Sequence, residues 1–174
     1  MLCSSPMFLR SHAMLVPCHK CVPCQLNRQS EWSIRLIHES YDHDSKVFVT
    51  LTYDDTHLQS LNKRDAQLFI KRLRDKFGYG RIRYFLAGEY GERTFRPHYH
   101  AIIFGLPSYV CQQDIQEVWK QGFVSFAPFS EARASYVAKY CVKVGMLMIT
   151  VLNVLLVLNL LVSGILIFVN LQWI

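Results

Sequence analysis

Over the first 143 residues the hydrophobic positions change period several times, and each change marks an element. From Gln25 to about Tyr41, Leu26, Trp32, Ile34, Leu36 and Ile37 interleave with Arg28, Glu31, Arg35 and Glu39 at helical spacing. Lys46 to Tyr53 alternates with β-branched residues and predicts a strand that ends at Asp54-Asp55. Asn62 is placed as the N-cap of a helix over Lys63 to Phe77, which Gly78 terminates. Arg81 to Glu89 predicts the next strand, a turn follows through Gly91, and Pro97 to Phe104 returns as its hairpin partner. Gln112 to Lys120 predicts a short helix and Gly122 to Phe126 a strand, and Ser130 caps a last helix that carries Tyr136 and Tyr140. This order implies an α+β fold, a central antiparallel sheet with flanking helices.

The predicted hairpin places candidate chemistry. Side chains alternate faces along a strand, so His98 and His100 point the same way. With the turn centred near Glu92 and Arg93, Glu89 falls opposite His98 and Ala87 opposite His100, making Glu89 the natural third ligand. Glu92 is a less favoured substitute. Two imidazoles and a carboxylate suit Mg²⁺ or Mn²⁺ and leave positions open for phosphate oxygens. Downstream, Tyr136 and Tyr140 lie one helical turn apart, and Lys139 and Lys143 repeat the spacing. Alone, a His-x-His is more often a structural pair and a tyrosine pair more often core packing. Together, in this order, they point to phosphoryl transfer.

Charge and composition divide the chain. All 19 Lys and Arg and all 13 Asp and Glu precede Val144, so the net charge of +6 belongs to the first 143 residues. A basic domain with pI near 9.1 suits a polyanionic partner. Lys71, Arg72, Arg74, Arg81 and Arg83 form the candidate DNA-binding tract, against the alternative of a solvated helix face. Residues 144–174 carry no charge, and 22 of these 31 are Val, Leu, Ile, Met or Phe. Two readings stand for this tail: a membrane-spanning helix, or the product of a frameshift into a U-rich frame.

No signal peptide is visible in Met1 to Val16, so the six cysteines are expected as thiols or metal ligands in a reducing cytoplasm. Cys18, Cys21 and Cys24 follow a C-x2-C-x2-C spacing and with Cys3 make four thiolates, enough for a closed structural zinc site. An iron–sulfur cluster is the rival, and His12 or His19 can replace Cys3 as fourth ligand. The expected organisation is a cysteine-rich, zinc-knuckle-like element over 1–30, a catalytic domain over 31–143 and the hydrophobic tail over 144–174.

The succession Phe48-Val-Thr-Leu-Thr-Tyr53, Gly88-Glu89-Tyr90-Gly91, Arg96-Pro-His-Tyr-His100 and Tyr136-Val-Ala-Lys-Tyr-Cys-Val-Lys143 resembles the HUH endonuclease superfamily of rolling-circle initiators. Within it the chain is most similar to the replication initiators of microviruses, the gokushovirus branch in particular. Cys3, Cys18-His-Lys-Cys21-Val-Pro-Cys24 and Glu31-Trp32 resemble the start of those proteins, and the likeness runs to Lys143. The resemblance implies an HUH or RNA-recognition-like sheet and a metal-dependent, site-specific endonuclease and strand transferase acting on a single-stranded DNA origin. It implies attack by Tyr140 or Tyr136 to form a 5′-phosphotyrosyl bond, with Lys143 and Lys139 in support. Tyr140 is favoured as nucleophile because Lys143 follows it by one turn. Host helicase and polymerase are the implied partners, in the host cytoplasm, with membrane association through 144–174 under the first reading of the tail. Two alternatives from other classes are an inactive remnant that only binds DNA or membrane, and an iron(II) oxygenase using the two histidines and one carboxylate.

Overall fold

The computed structural model describes residues 2–78, 82–91, 94–141 and 167–170. After a small hairpin of β1 (Met7–Leu9) and β2 (Met14–Val16) come α1 (Val22–Tyr41), β3 (Lys46–Tyr53), α2 (Lys63–Phe77), β4 (Arg83–Tyr90) and β5 (Pro97–Phe104). Then follow α3 (Gln112–Val118), β6 (Gly122–Pro128), α4 (Glu131–Ala138), a 3-10 turn (Lys139–Cys141) and β7 (Ile167–Asn170). The main sheet is antiparallel with order β6-β3-β5-β4-β7, and the fold is α+β as the pattern predicts.

Alternation along β3 decides what lies on each face. Val49, Leu51 and Tyr53 are fully buried against Ala66, Phe69, Ile70 and Leu73 of α2 and against Ile115, Val118 and Trp119 at α3. The opposite face carries Phe85, Ala87, Ile102 and Phe104 under Trp32 and Leu36 of α1 and Ala134 and Val137 of α4. The sheet is therefore covered by α2 and α3 on one side and by α1 and α4 on the other.

Local signals set the helix ends. Asn62 Oδ1 accepts from the Arg64 N–H at 2.9 Å, the expected N-cap. Gly78, in the left-handed region at φ 115°, closes α2 with its N–H donating to the Arg74 carbonyl. The first helix departs from the reading. It starts at Val22, with Pro in its first turn, so Cys24 is already helical and one continuous helix crosses the expected boundary at residue 30. The β1–β2 hairpin was also not predicted, because its strands are three residues long and bury nothing that would impose a period.

Behind the histidine strand, Tyr99 points to the α2 face between His98 and His100. Its hydroxyl donates to the Asn62 carbonyl at 2.9 Å, and its ring packs edge-on to Trp119. Tyr53 donates to the buried Asp65 at 2.8 Å. These bonds fix β3 and β5 from the side opposite the histidines. Gly88 is required here, since a Cβ would meet Leu61 and the Tyr99 ring at about 3.0 Å.

Of the tail, residues 167–170 pair antiparallel with β4, Phe85 opposite Val169. Residues 144–166 and 171–174, with most of the membrane-span or frameshift reading, lie outside the described residues. Among the described residues no helix is long and apolar enough to cross a membrane.

Candidate metal and tyrosine site

Strand register builds the site. Glu89 pairs with His98 and Ala87 with His100, as the hairpin argument predicts, and on the other side Thr52 pairs with His98 and Thr50 with His100. The donor atoms of Glu89, His98 and His100 all lie within 4.8 Å of one another. Glu89 Oε1 is 3.2 Å from His98 Nε2, and Glu89 Oε2 is 3.5 Å from His100 Nε2.

The outer nitrogens are already engaged. His98 Nδ1 donates to the Arg96 carbonyl at 3.0 Å, and His100 Nδ1 lies 3.0 Å from Thr50 Oγ1. Both imidazoles therefore turn Nε2 toward Glu89, the arrangement that backbone and side-chain partners impose on metal-bound histidines. Neither Thr50 nor the Arg96 carbonyl was foreseen. Thr50 becomes legible only once β3 is known to be the neighbour of β5.

Electrostatics separates the three groups. Burial opposes the charge of Glu89, but His100 and His98 outweigh it and hold the carboxyl at about 2. Burial also works against a charged His98, yet the Glu89 carboxylate and the Arg96 carbonyl leave its pKa raised. For His100 burial prevails over Glu89, aided by His98 and Lys139, and its pKa is lowered. Glu89 Oε2 is buried without a hydrogen-bond donor. A carboxylate oxygen left so, facing two Nε2 atoms, is the feature a divalent cation fits: it would satisfy all three donors and leave positions open.

The tyrosines come to the same place. Tyr136 Oη is 3.4 Å from His100 Nε2, and Tyr140 donates its hydroxyl to Tyr136 at 2.8 Å. The Tyr140 ring stacks on His100 with centroids 5.7 Å apart, and Phe48 lies equally far and nearly parallel. Lys139 Nζ sits 4.0 Å from the Tyr136 ring centroid and 4.8 Å from that of Tyr140. Tyr136 is 39% exposed whereas Tyr140 is 3% exposed, so the hydroxyl nearer to both solvent and the histidines is Tyr136. Lys143 lies outside the described residues.

The expected basic tract does not converge here. Lys71 and Arg72 ride on α2, on the far face of the sheet. Arg74 donates to the Ile82 carbonyl at 3.1 Å and lies over the Tyr84 ring, and Arg83 pairs with the buried Glu39 at 3.0 Å. These two cations hold elements together. Arg81 is outside the described residues.

The four thiols form a separate cluster. Sulfurs of Cys3, Cys18, Cys21 and Cys24 lie within 4.8 Å of one another, with Cys21 and Cys3 3.8 Å apart. Zinc–sulfur bonds of about 2.3 Å in a tetrahedron put sulfurs about 3.8 Å apart. Backbone N–H groups of Cys18 and Cys21 point at Cys3 and Cys18 Sγ at 3.3 and 3.4 Å. Hydrogen bonds from Ser4 and the Cys24 backbone lower the Cys21 thiol to about 5, while burial pushes Cys24 up to about 12. The fourth donor is Cys3. His12 is exposed against Ser11, and His19 occupies a left-handed turn position (φ 58°) inside the knuckle.

The family model for the replication-associated protein ORF2 matches residues 46–145, which includes all four strands of the site face and both tyrosines. Replication-associated protein VP4 of Bdellovibrio phage phiMH2K is 40% identical over 150 residues, covering 73% of this chain and 48% of that protein. Replication-associated protein ORF2 of Spiroplasma virus 4 is 33% identical over 153 residues (74% and 48%), and ORF4 of Chlamydia phage 1 is 30% identical over 151 (74% and 38%). The chain thus spans about half the length, or less, of the curated relatives it matches. No solved structure matches.

Proposed function

This chain belongs to the replication-associated protein ORF2 family, and we propose that it initiates DNA replication as a metal-dependent, tyrosine-based endonuclease and strand transferase on single-stranded DNA. What carries the reading is one juxtaposition: a tyrosine hydroxyl 3.4 Å from the Nε2 of a histidine in a two-histidine, one-carboxylate cluster. An iron(II) oxygenase has no use for two coupled tyrosines under a lysine.

On this reading His98, His100 and Glu89 would hold Mg²⁺ or Mn²⁺, which when bound supplies charge neutralisation at a phosphate oxygen. The Tyr136 oxygen attacks phosphorus, the phosphorus–3′-oxygen bond breaks, and the strand's 5′ side remains esterified to tyrosine. The phenolic proton passes to solvent, and the departing 3′ oxygen takes one up to become the free hydroxyl that primes synthesis. Lys139 over both rings favours the phenolate, and the Tyr140 hydroxyl donates to the oxygen that becomes negative. We assign the first attack to Tyr136 and leave Tyr140 for a second transfer that releases a circle. The thiol cluster would hold a structural zinc. The origin strand, with host helicase and polymerase, would be the partners in the host cytoplasm.

The test is incubation with circular single-stranded phage DNA and Mn²⁺, followed by denaturing electrophoresis and mass spectrometry of the adduct. DNA is expected on Tyr136, with Tyr136→Phe reducing the adduct more than Tyr140→Phe. An adduct on neither tyrosine, or none at all from the folded protein, sinks the reading.

A further inference from the structure

We infer that Phe123 is a stacking platform for a base of the bound single strand, one step across the sheet from the metal ligands. The inference rests on the function proposed above and adds a substrate-binding residue to it.

Register places Phe123 in line with the site. Phe123 pairs with Thr52, Thr52 with His98, and His98 with Glu89, so all four side chains lie in one row on one face. Two strand spacings of about 4.8 Å put Phe123 about 10 Å from His98. The next row, Ser125, Thr50, His100 and Ala87, leads to the same cluster. Here α1 and α4 no longer cover the sheet: Phe123 is 64% exposed, and Ser125 beside it is exposed as well.

The backbone beneath this ring is held unusually well for an edge strand. Gln116 Oε1 accepts from the Val124 N–H at 3.0 Å and its Nε2 donates to the Gly122 carbonyl, while Gln112 donates to the Val124 carbonyl at 3.0 Å. The outward-facing groups of β6 are thereby engaged by α3. Gly122 (φ 151°) brings β6 so close to β3 that a Cβ would collide with the Thr52 carbonyl, which locks the pairing that sets Phe123 on Thr52.

A large apolar ring on an open edge strand is a liability that a Thr or Ser would avoid, as Ser125 does two residues on. Its rigidity and its place in the ligand row give it a use. Bases stack on fixed aromatic faces irrespective of sequence, and a strand whose phosphate reaches the His98 cluster must pass over this row. Of the exposed aromatics Phe8, Tyr41, Phe95, Tyr109, Phe123 and Tyr136, only Phe123 stands on a strand in register with the triad among the described residues.

The experiment measures affinity of the full chain for labelled oligo(dT) by fluorescence anisotropy, at fixed salt and without added Mg²⁺ or Mn²⁺. Stacking contributions of about 1–3 kcal/mol per base predict that Phe123→Ala weakens binding by about 5- to 150-fold. Phe123→Leu is expected to lose as much, and Phe123→Trp to bind like the parent with its indole emission quenched. Unchanged affinity in the Ala variant, or full rescue by Leu, overturns the stacking role and leaves the endonuclease reading standing if the parent still forms its adduct. A parent chain that binds no single strand overturns both.

Discussion

The four thiols and the Glu89–His98–His100 triad are both compact donor clusters, but they stand on the protein in opposite ways. The thiols come from a loop and the first turn of α1, beside a hairpin whose Phe8 and Leu15 lie more than half exposed. Apart from two N–H contacts to sulfur, little but the thiols themselves fixes their spacing. The triad instead sits on two paired strands, oriented by Thr50 and the Arg96 carbonyl and braced from behind by Tyr99 and Trp119. Four donors make a closed set and three an open one. A metal at the first cluster would hold the fold, whereas at the second the fold would hold the metal.

The largest expected effect lies at the thiols. Cys21→Ser should release zinc and lower the melting temperature sharply, because structural zinc contributes on the order of 10 kcal/mol to small zinc-dependent folds. Elemental analysis of the purified chain and a thermal melt check this together. A variant that melts with the parent, or a parent containing neither zinc nor iron, breaks the comparison on its structural side.

At the triad the same kind of truncation should spare the fold and stop the chemistry. His98→Ala is expected to cut adduct formation by at least about 10³-fold, given the several kcal/mol a metal supplies to a phosphoryl transition state. Its melting point and its affinity for single-stranded DNA should change little, since that affinity rests on phosphate charge and stacking. Ala at His98 is the cleaner probe than Ala at His100, whose ring packs against Phe48 and Tyr140. Unimpaired cleavage by His98→Ala would remove the triad from the mechanism.

What the sequence discloses follows from how local each determinant is. Strands Lys46–Tyr53 and Pro97–Phe104 and helix Lys63–Phe77 carry their own period, cap and stop, and their bounds match the reading. The Glu89–His98 register was legible because a hairpin fixes pairing within a few residues. The role of Thr50 was not, because β3 reaches β5 only through the fold of the whole sheet. The same applies to the basic tract: charge is visible in sequence, but the face of the sheet to which α2 carries Lys71 and Arg72 is decided by its buried Phe69 and Leu73. The favoured order of the tyrosines rested on Lys143, whereas the feature that separates them is burial, which a helical repeat alone does not reveal.

The smallest effect concerns how the triad stands without metal. Glu89 and His98 support each other as an ion pair, so the metal-free site should add stability of its own, as the thiol cluster should not. Glu89 is depressed to about 2, so its contribution is present above its unfolded value near 4.5 and is lost as pH falls from there through about 2. His98 is raised, so its contribution is full below its unfolded value of 6.5 and is lost as pH rises through the higher folded value. The pair is thus complete between about pH 4.5 and 6.5. His100, with its pKa lowered, contributes in the opposite sense, fully above 6.5 and less as the solution acidifies, which tilts the profile without creating a maximum. Urea unfolding of protein stripped of Mg²⁺ and Mn²⁺ should show the parent more stable than Glu89→Gln by on the order of 2 kcal/mol inside that window, with the gap closing on both sides. A difference that stays constant from about pH 3 to 8 would show that the triad, like the thiols, depends on a metal to hold its geometry.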